Sequence, residues 1–460
     1  MTFTPSDHGS GKTREDNSQS RVRTMAGDLL ANRTRWAAVS EGLQLVSSTL
    51  VILVVARFLD QESYGVMGGV AGLALIALNL SNFGTHILLL RRGAQGENLS
   101  DAWARALTLG VGAPAVVAVG LLLLRPLVLP NVDPLIFGLF IVTGMPLFWL
   151  SELVVYLPVG LGHLRAAAVA RFIVVACRMV AVAWFALATN HDLESWAWAN
   201  ALSFLLSSIF GVIYISRTYG VGPRFVSSAA KDFRPGLPFS VNGVTENVND
   251  LSDRTLLLRF DLKEDAGSYS LGGRAIQFAY MPLRMLLRAH DSEMFAAGKA
   301  GIGSSFRISA RLAPTALLLG FGTGLVFWLL APLTPVLLGA QWTEAVSVVR
   351  WLSFLPGVRA VQYVVGNSLS AADRQWWRFA VTALAAGLNL TLNLLLLPGG
   401  SWRTAAVTTF VSEIFLMGAL ILLVALLIRR ERSSSDRRGS GDTSLDPAGP
   451  NTEQNIDSQR

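Results

Sequence analysis

The chain has 460 residues, of which 52% are hydrophobic and only 15% are charged, and its mean hydropathy is +0.47. This composition predicts a polytopic membrane protein. The formal net charge of +7 does not indicate nucleic-acid binding, because the basic residues cluster at predicted helix ends and tails. The single cysteine, Cys177, excludes a disulfide framework and a cysteine-based metal site.

Both ends of the chain are polar, and no apolar signal peptide is visible at the start. We expect disordered cytoplasmic tails at residues 1–35 and 429–460. Between them lie twelve apolar segments long enough to cross a bilayer, so the predicted fold is an all-α membrane protein with about twelve transmembrane helices. The predicted spans are 36–56, 66–90, 106–124, 135–161, 166–188, 196–216, 237–258, 267–290, 312–331, 347–369, 377–397 and 404–428.

The distribution of lysine and arginine predicts the orientation. With the N-terminus inside, 26 of the 38 basic residues lie on the inner side and 5 lie on the outer side, and the others lie within the spans. Both termini should therefore be cytoplasmic, which agrees with an even number of spans.

An internal repeat divides the chain into two halves. The segment RFLDQESYG at 57–65 follows the first span, and RFDLKEDAG at 259–267 follows the seventh. Arg, Phe, Glu and Gly match at one offset of 202 residues. We expect a six-helix lobe at 36–216, a cytoplasmic linker at 217–236 and a pseudo-symmetric six-helix lobe at 237–428, arranged around a central cavity.

The seventh predicted span carries a polar face. Asn242, Glu246, Asn249 and Asp253 follow helical spacing, and Asp250 lies beside them. A charge at the centre of a bilayer costs about 2.5–3.5 kcal/mol even on the insertion scale. This face should therefore look into protein or into a polar cavity.

Charged residues within the other spans support the same interpretation. Seven arginines lie within spans: Arg171, Arg178, Arg254, Arg274, Arg284, Arg350 and Arg359. The carboxylates within spans are Glu41, Glu152, Glu246, Asp250, Asp253 and Glu413. Gln277 shares the eighth span with Arg274 and Arg284.

An arginine-rich interior favours an anion, most simply a phosphate or pyrophosphate, because the guanidinium binds phosphate bidentately and stays charged when buried. The alternative is structural. Asp253 and Arg254 could neutralise each other, and other arginines could pair with carboxylates such as Glu41, Glu152 or Glu413. Arg178 and Arg350 could also bridge helices or extend toward a membrane surface.

No catalytic constellation, metal-ligand spacing or complete phosphate-binding loop occurs in the sequence. We expect no enzymatic activity and no cofactor. Transport would then run on an ion gradient or on the gradient of the substrate itself.

Several stretches resemble bacterial polysaccharide-unit flippases of the multidrug/oligosaccharidyl-lipid/polysaccharide exporter superfamily. They are 57–65 with LSNFG at 80–84, DRTLLLRF at 253–260 with AGSY at 266–269, VLLGAQW at 336–342, and GHLR at 162–165 leading into Arg171. The resemblance covers about residues 36–428. One departure is Asn82, where many relatives carry an acidic residue, and this puts an ion-coupling role there in doubt.

The resemblance implies a transporter in the bacterial plasma membrane. Such proteins move an undecaprenyl-pyrophosphate-linked oligosaccharide to the outer leaflet by alternating access, and possible partners are other polysaccharide synthesis and export proteins. The arginines would hold the pyrophosphate, and polar residues would meet the sugars. The positive charge that binds the phosphates is expected mainly from Arg254, Arg274, Arg284 and Arg359. Arg171 and Arg178 are also expected in the cavity. The expected sugar contacts are Asn242, Asn249 and Gln277.

Three alternatives belong to other classes. A cation-coupled drug exporter of the same superfamily would use carboxylates as proton or sodium sites, namely Glu41, Glu246, Asp250 and Asp253. A membrane enzyme acting on glycan would need a large outer loop or a catalytic His/Asp set. A scaffold of a synthesis complex would tolerate neutral residues in place of the cavity arginines.

Overall fold

The computed structural model describes the backbone of residues 35–441, and the side chains of all these residues except 242, 291, 292, 432 and 434–441. This part of the chain folds into helices joined by short turns and contains no strands. The predicted tail at 1–35 lies outside the described residues except for Arg35. The predicted tail at 429–460 begins too early, because the last helix continues to Gly441.

The first half, up to the linker, contains helices α1 to α7. They are α1 Arg35–Phe58, α2 Gln61–Ser81, α3 Thr85–Gln95, α4 Leu99–Val128, α5 Pro134–Gly160, α6 Leu164–Ala188 and α7 Leu193–Tyr219. Asp60, Asp133 and Asp192 begin α2, α5 and α7 by accepting hydrogen bonds from backbone N–H groups of the first turn.

The second half contains helices α8 to α16. They are α8 Phe233–Arg259, α9 Lys263–Ala279, α10 Met281–Gly298, α11 Ile302–Leu330, α12 Leu333–Leu338, α13 Thr343–Leu352, α14 Leu355–Ala371, α15 Gln375–Leu396 and α16 Trp402–Gly441. The linker between the halves carries a short 3-10 helix, Ser227–Asp232. It is fixed to the first half by a hydrogen-bonded ion pair of 2.6 Å between Arg92 and Asp232.

Helices occupy all twelve predicted span positions, and nine helices in residues 35–441 are long and apolar enough to cross a membrane. They are α1, α2, α4, α5, α6, α7, α11, α15 and α16. The other three positions differ for physical reasons: α8 carries the polar face, and the eighth and tenth predicted spans are interrupted near Tyr280 and Ser353. The count of twelve spans therefore stays a prediction.

The second predicted span ends earlier than its apolar pattern suggests. After Ser81 the chain leaves the helical path, since Phe83 and Gly84 adopt positive φ angles of 47° and 58°. The side chain of Asn82 stabilises the break by accepting a hydrogen bond of 2.9 Å from the amide of Gly84. This local role accounts for an asparagine at this position.

The two repeat segments meet at the end of the bundle that carries the α1–α2 and α8–α9 turns. We call it the outer end, because the orientation predicted from the basic residues places these turns outside. A Cβ atom on Gly65 would overlap the carbonyl oxygen of Lys263 and lie 2.7 Å from the amide nitrogen of Gly267. A Cβ atom on Gly267 would overlap the carbonyl oxygen of Gln61 in the same way. The contact is reciprocal at the repeat offset, which is the geometry of two pseudo-symmetric halves.

Polar contacts join the halves around these glycines. Gln61 donates a hydrogen bond to the hydroxyl of Ser268, and Lys263 forms an ion pair of 2.7 Å with Glu62. The hydrogen bond that the Lys263 ammonium donates to the Glu62 carboxylate raises the pKa of Lys263. In addition, the indole of Trp342 donates to the carbonyl of Ala56 at 2.7 Å. The halves are therefore closed against each other at the outer end.

Candidate functional site

The polar face of α8 lies against other helices of the second half, whereas its spacing predicted only that it faces protein or a polar cavity. Glu246 lines a cavity in that half, Asn249 and Asp253 are buried, and Asp250 is half-buried. Asn242 also lies on α8, but its side chain is outside the described set. The second half therefore surrounds a row of polar side chains from one helix.

Arg359 on α14 is the centre of a buried ionic cluster. Its guanidinium contacts Glu413 of α16, with Nε 2.8 Å from Oε1, and forms a second ion pair of 2.7 Å with Asp250. Gln362 and Asn249 donate further hydrogen bonds to the Glu413 carboxylate. Because two carboxylates compensate its charge, Arg359 behaves as a structural ion pair, the alternative that the sequence left open.

Asp253 is 2% exposed and is held by neutral donors. Tyr269, Thr409 and Asn393 donate hydrogen bonds to its carboxylate at 2.9, 2.6 and 2.6 Å. Among the residues that the structure describes, no ion pair joins Asp253 to the adjacent Arg254 within 4.0 Å. The described side chains of Asp253 and Arg254 therefore do not form the ion pair that the sequence suggested.

A cavity of about 380 Å³ adjoins these clusters within the second half. Its charged lining residues are Glu246, Asp250, Arg284, Arg288, Arg359, Arg378 and Glu413. Four of these are arginines and three are carboxylates, and two of the carboxylates are bound to Arg359. Arg378 is held by Asn367 and Ser370 at 3.2 and 2.9 Å.

In the first half, Arg171 is also a partner of a carboxylate. It is 8% exposed, forms hydrogen bonds of 2.7 and 3.1 Å to the two oxygens of Glu152, and donates another of 3.1 Å to Gln44. This arrangement ties α6 to α5 and α1. It compensates the charge of Glu152, whose carboxylate lines the cavity described next.

A second cavity, of about 350 Å³, lies mainly in the first half and reaches the other half at Arg274 of α9. Arg178 of α6 lines the same cavity, with its guanidinium 4.7 Å from the ring centre of Phe204. Other polar lining residues are Gln44, Ser47, Ser48, Glu152 and Asn200.

Three arginines form what we call the central arginine group: Arg178, Arg254 and Arg274. Arg178 and Arg274 line the same cavity, and the guanidinium of Arg254 packs against Gly273, which precedes Arg274 on α9. Arg254 is 5% exposed, and its Nε has no hydrogen-bond partner. Among the described side chains, no ion pair within 4.0 Å joins a carboxylate to any of these three guanidinium groups. This group is an interior concentration of positive charge at the junction of the halves.

The remaining predicted residues are dispersed. Gln277 lines a small space of about 40 Å³ beside Arg254, together with Tyr280 and Asn249. Arg284 is exposed to the second-half cavity. Glu41 is exposed on α1, whereas Glu246, Asp250 and Asp253 lie in the other half. The four carboxylates suggested for ion coupling are therefore not gathered at one place.

Several polar residues of the second-half cluster were not predicted. Asn389 and Asn393 of α15 are fully buried and bonded to each other at 3.0 Å, and Thr408 and Thr409 of α16 complete the network around Asp253. The signal was present, since two asparagines at i and i+4 inside an apolar span lie on one face.

Comparisons with known proteins agree with this architecture. A family model described as "Polysaccharide biosynthesis protein" matches residues 30–288. No curated protein sequence matches the chain.

Solved structures of two kinds of transporter share the fold. An inward-facing multidrug resistance MATE family transporter of the MOP superfamily matches with a TM-score of 0.66 at 14% identity, covering 83% of this chain and 95% of that one. An outward-facing MATE family transporter of the MOP superfamily matches with a TM-score of 0.54 at 14% identity, covering 87% of this chain and 96% of that one. The lipid II flippase MurJ, in an inward closed conformation, scores 0.59 at 10% identity over 85% and 87%.

Proposed function

Because the chain belongs to the family of polysaccharide biosynthesis proteins, we propose that it is a flippase of the bacterial plasma membrane. The proposed substrate is a polyprenyl-pyrophosphate-linked oligosaccharide, which is carried from the inner to the outer leaflet by alternating access. The termini would be cytoplasmic, and the lobes would be 36–216 and 237–428, joined by the linker at 217–236. Other polysaccharide synthesis and export proteins are the proposed partners, and no catalytic activity is required.

The central arginine group is the observation that supports an anionic substrate. Arg178 comes from the first half, whereas Arg254 and Arg274 come from the second. Such like charges inside a membrane are costly unless an anion or water compensates them. A pyrophosphate between the halves would accept charge-assisted hydrogen bonds from both. Arg284 would add to this field from the neighbouring cavity, and Arg359 contributes less because carboxylates compensate it.

Polar and aromatic groups beside the arginines suit a sugar. Asn200, Ser47 and Ser48 offer hydrogen-bonding groups in the first-half cavity, next to Trp196 and Phe148. Aromatic faces with a few polar groups are typical of small-molecule sites. The polyprenyl chain would remain in the bilayer.

A cation-coupled multidrug exporter is the second candidate, and the likeness to multidrug transporters makes it worth testing. Asp253, with its three neutral donors, is the best placed of the suggested coupling carboxylates. The central arginine group argues against a cationic drug, because its positive charges would repel the drug.

The test is lipid analysis of a strain lacking the protein, complemented by variants. We expect inner-leaflet lipid-linked oligosaccharide to accumulate without the protein, and R178A and R274A to lower flipping at least about tenfold, as for lost hydrogen bonds to charged groups. The control is R403A, an exposed arginine at the outer end.

Protein stability separates the functional from the structural interpretation. Removing one member of a repelling group should leave the melting temperature of R178A unchanged or higher, although flipping falls. Normal lipid intermediates in the deletion strain, together with drug sensitivity, would refute the flippase and favour the exporter.

A further inference from the structure

A groove on the second half is separate from the cavities described above. It lies between α11, α13 and α16 and has a volume of about 510 Å³. Its lining residues are Trp328, Ser347, Arg350, Trp351, Phe354 and Phe410. Trp351 and Phe354 are 45% and 53% exposed, so the groove is open toward the surroundings of the bundle.

Among the described residues, Arg350 is the only charged one that lines this groove. Its guanidinium lies 4.8 Å from the ring centre of Trp328, and its buried Nε has no hydrogen-bond partner. The ion pairs found among the described side chains do not include Arg350. The groove therefore presents an uncompensated positive charge surrounded by aromatic rings.

The position of Arg350 along its helix sets its depth. Helix α13 begins at Thr343, next to Trp342, which contacts the outer end of α1. Seven residues of α-helix correspond to about 10 Å. Arg350 thus lies a short way inside the outer end, where an arginine can reach the headgroup region and where tryptophan is favoured.

We propose that this groove binds an anionic glycerophospholipid, which in the orientation proposed above belongs to the outer leaflet. The lipid phosphate would accept hydrogen bonds from the Arg350 guanidinium and the exposed Ser347 hydroxyl. One acyl chain would cover the exposed rings of Trp351 and Phe354. Because all lining residues belong to the second half, the site is distinct from the path between the halves and does not depend on the proposed substrate.

The occupant must supply a negative charge and apolar surface at once. The described lining residues include no carboxylate to neutralise Arg350, and an unpaired guanidinium at this depth is costly. A phospholipid provides both features in one molecule, since its phosphate lies beside its acyl chains.

The first experiment measures lipid retention by the full-length protein. Protein from nanodiscs containing equal phosphatidylglycerol and phosphatidylcholine is released into detergent and analysed by native mass spectrometry. We expect the wild type to retain phosphatidylglycerol in preference to phosphatidylcholine. The ratio of the two retained lipids should fall about tenfold in R350Q and by less in R350K. The matched control is R403Q, because Arg403 also stacks on a tryptophan at the outer end, with a distance of 5.3 Å to Trp402.

The second experiment uses the wild-type chain and does not depend on an Arg350 variant folding. Brominated phosphatidylglycerol should quench tryptophan fluorescence more than brominated phosphatidylcholine, and the excess should disappear in W328F/W351F. Equal quenching by the two lipids, or equal retention by the wild type and R350Q, would overturn the proposal. Selective retention of a polyprenyl phosphate in place of phosphatidylglycerol would also overturn it.

Discussion

Replacing Gly65 by alanine should prevent full closure of the outer end. The new Cβ atom would overlap the carbonyl oxygen of Lys263, and its distance of 2.7 Å from the amide of Gly267 is about 0.7 Å short of ordinary contact at 3.4 Å. Helices α2 and α9 must therefore separate. Overpacking of this kind typically costs about 1–3 kcal/mol.

This cost falls only on conformations in which the outer ends touch. If the protein alternates between outer-closed and outer-open states, about 1–3 kcal/mol shifts their ratio by about 5- to 150-fold toward the open state. The pseudo-symmetric contact predicts a similar shift for Gly267→Ala, because its Cβ atom meets the carbonyl oxygen of Gln61.

The assay is labelling by a membrane-impermeant thiol reagent, applied from outside to a cysteine placed at Ser268 in a chain whose Cys177 is replaced by serine. Ser268 is buried in the closed contact and hydrogen-bonded to Gln61. Labelling should increase severalfold in Gly65→Ala. In the control Gly120→Ala, a glycine of α4 with open space around it, labelling should not change. Equal labelling of the cysteine-bearing parent chain, its Gly65→Ala variant and its Gly120→Ala variant would refute the steric argument.

Two further predictions concern buried ion pairs. Glu152→Gln should lower the stability of the purified protein by about 3–5 kcal/mol, because it removes the carboxylate that pairs with Arg171, and the exposed Glu41→Gln serves as the control. Thermal unfolding in detergent measures the difference, and equal melting temperatures would contradict it. Glu413→Gln should cost less than Glu152→Gln, because Asp250 still compensates Arg359, and the reverse order would show that Asp250 does not share this role.

The sequence predicted the positions of the helices well where the signal was strong. In the described part of the chain, nine helices long and apolar enough to cross a membrane lie at predicted positions, because a long apolar run has few alternatives to a helix in lipid. The break at Asn82–Gly84 was missed, since it depends on a side chain that bonds its own backbone within a continuous apolar pattern.

The repeat was also visible in the sequence, although its physical meaning was not. Four matching residues at a fixed offset predicted two related halves. Only the fold shows that Gly65 and Gly267 lie against each other, which explains why each repeat ends in a residue without a side chain.

The sequence by itself determined that the interior is polar and rich in arginine, because charges cannot face lipid without large cost. It could not decide which arginines are compensated. Arg171 and Arg359 are paired with carboxylates 19 and 54 residues away along the chain, whereas the ion pairs among the described side chains include none of Arg178, Arg254 and Arg274. Electrostatic pairing depends on distances of a few ångströms between different helices, and helical periodicity within one segment does not contain those distances.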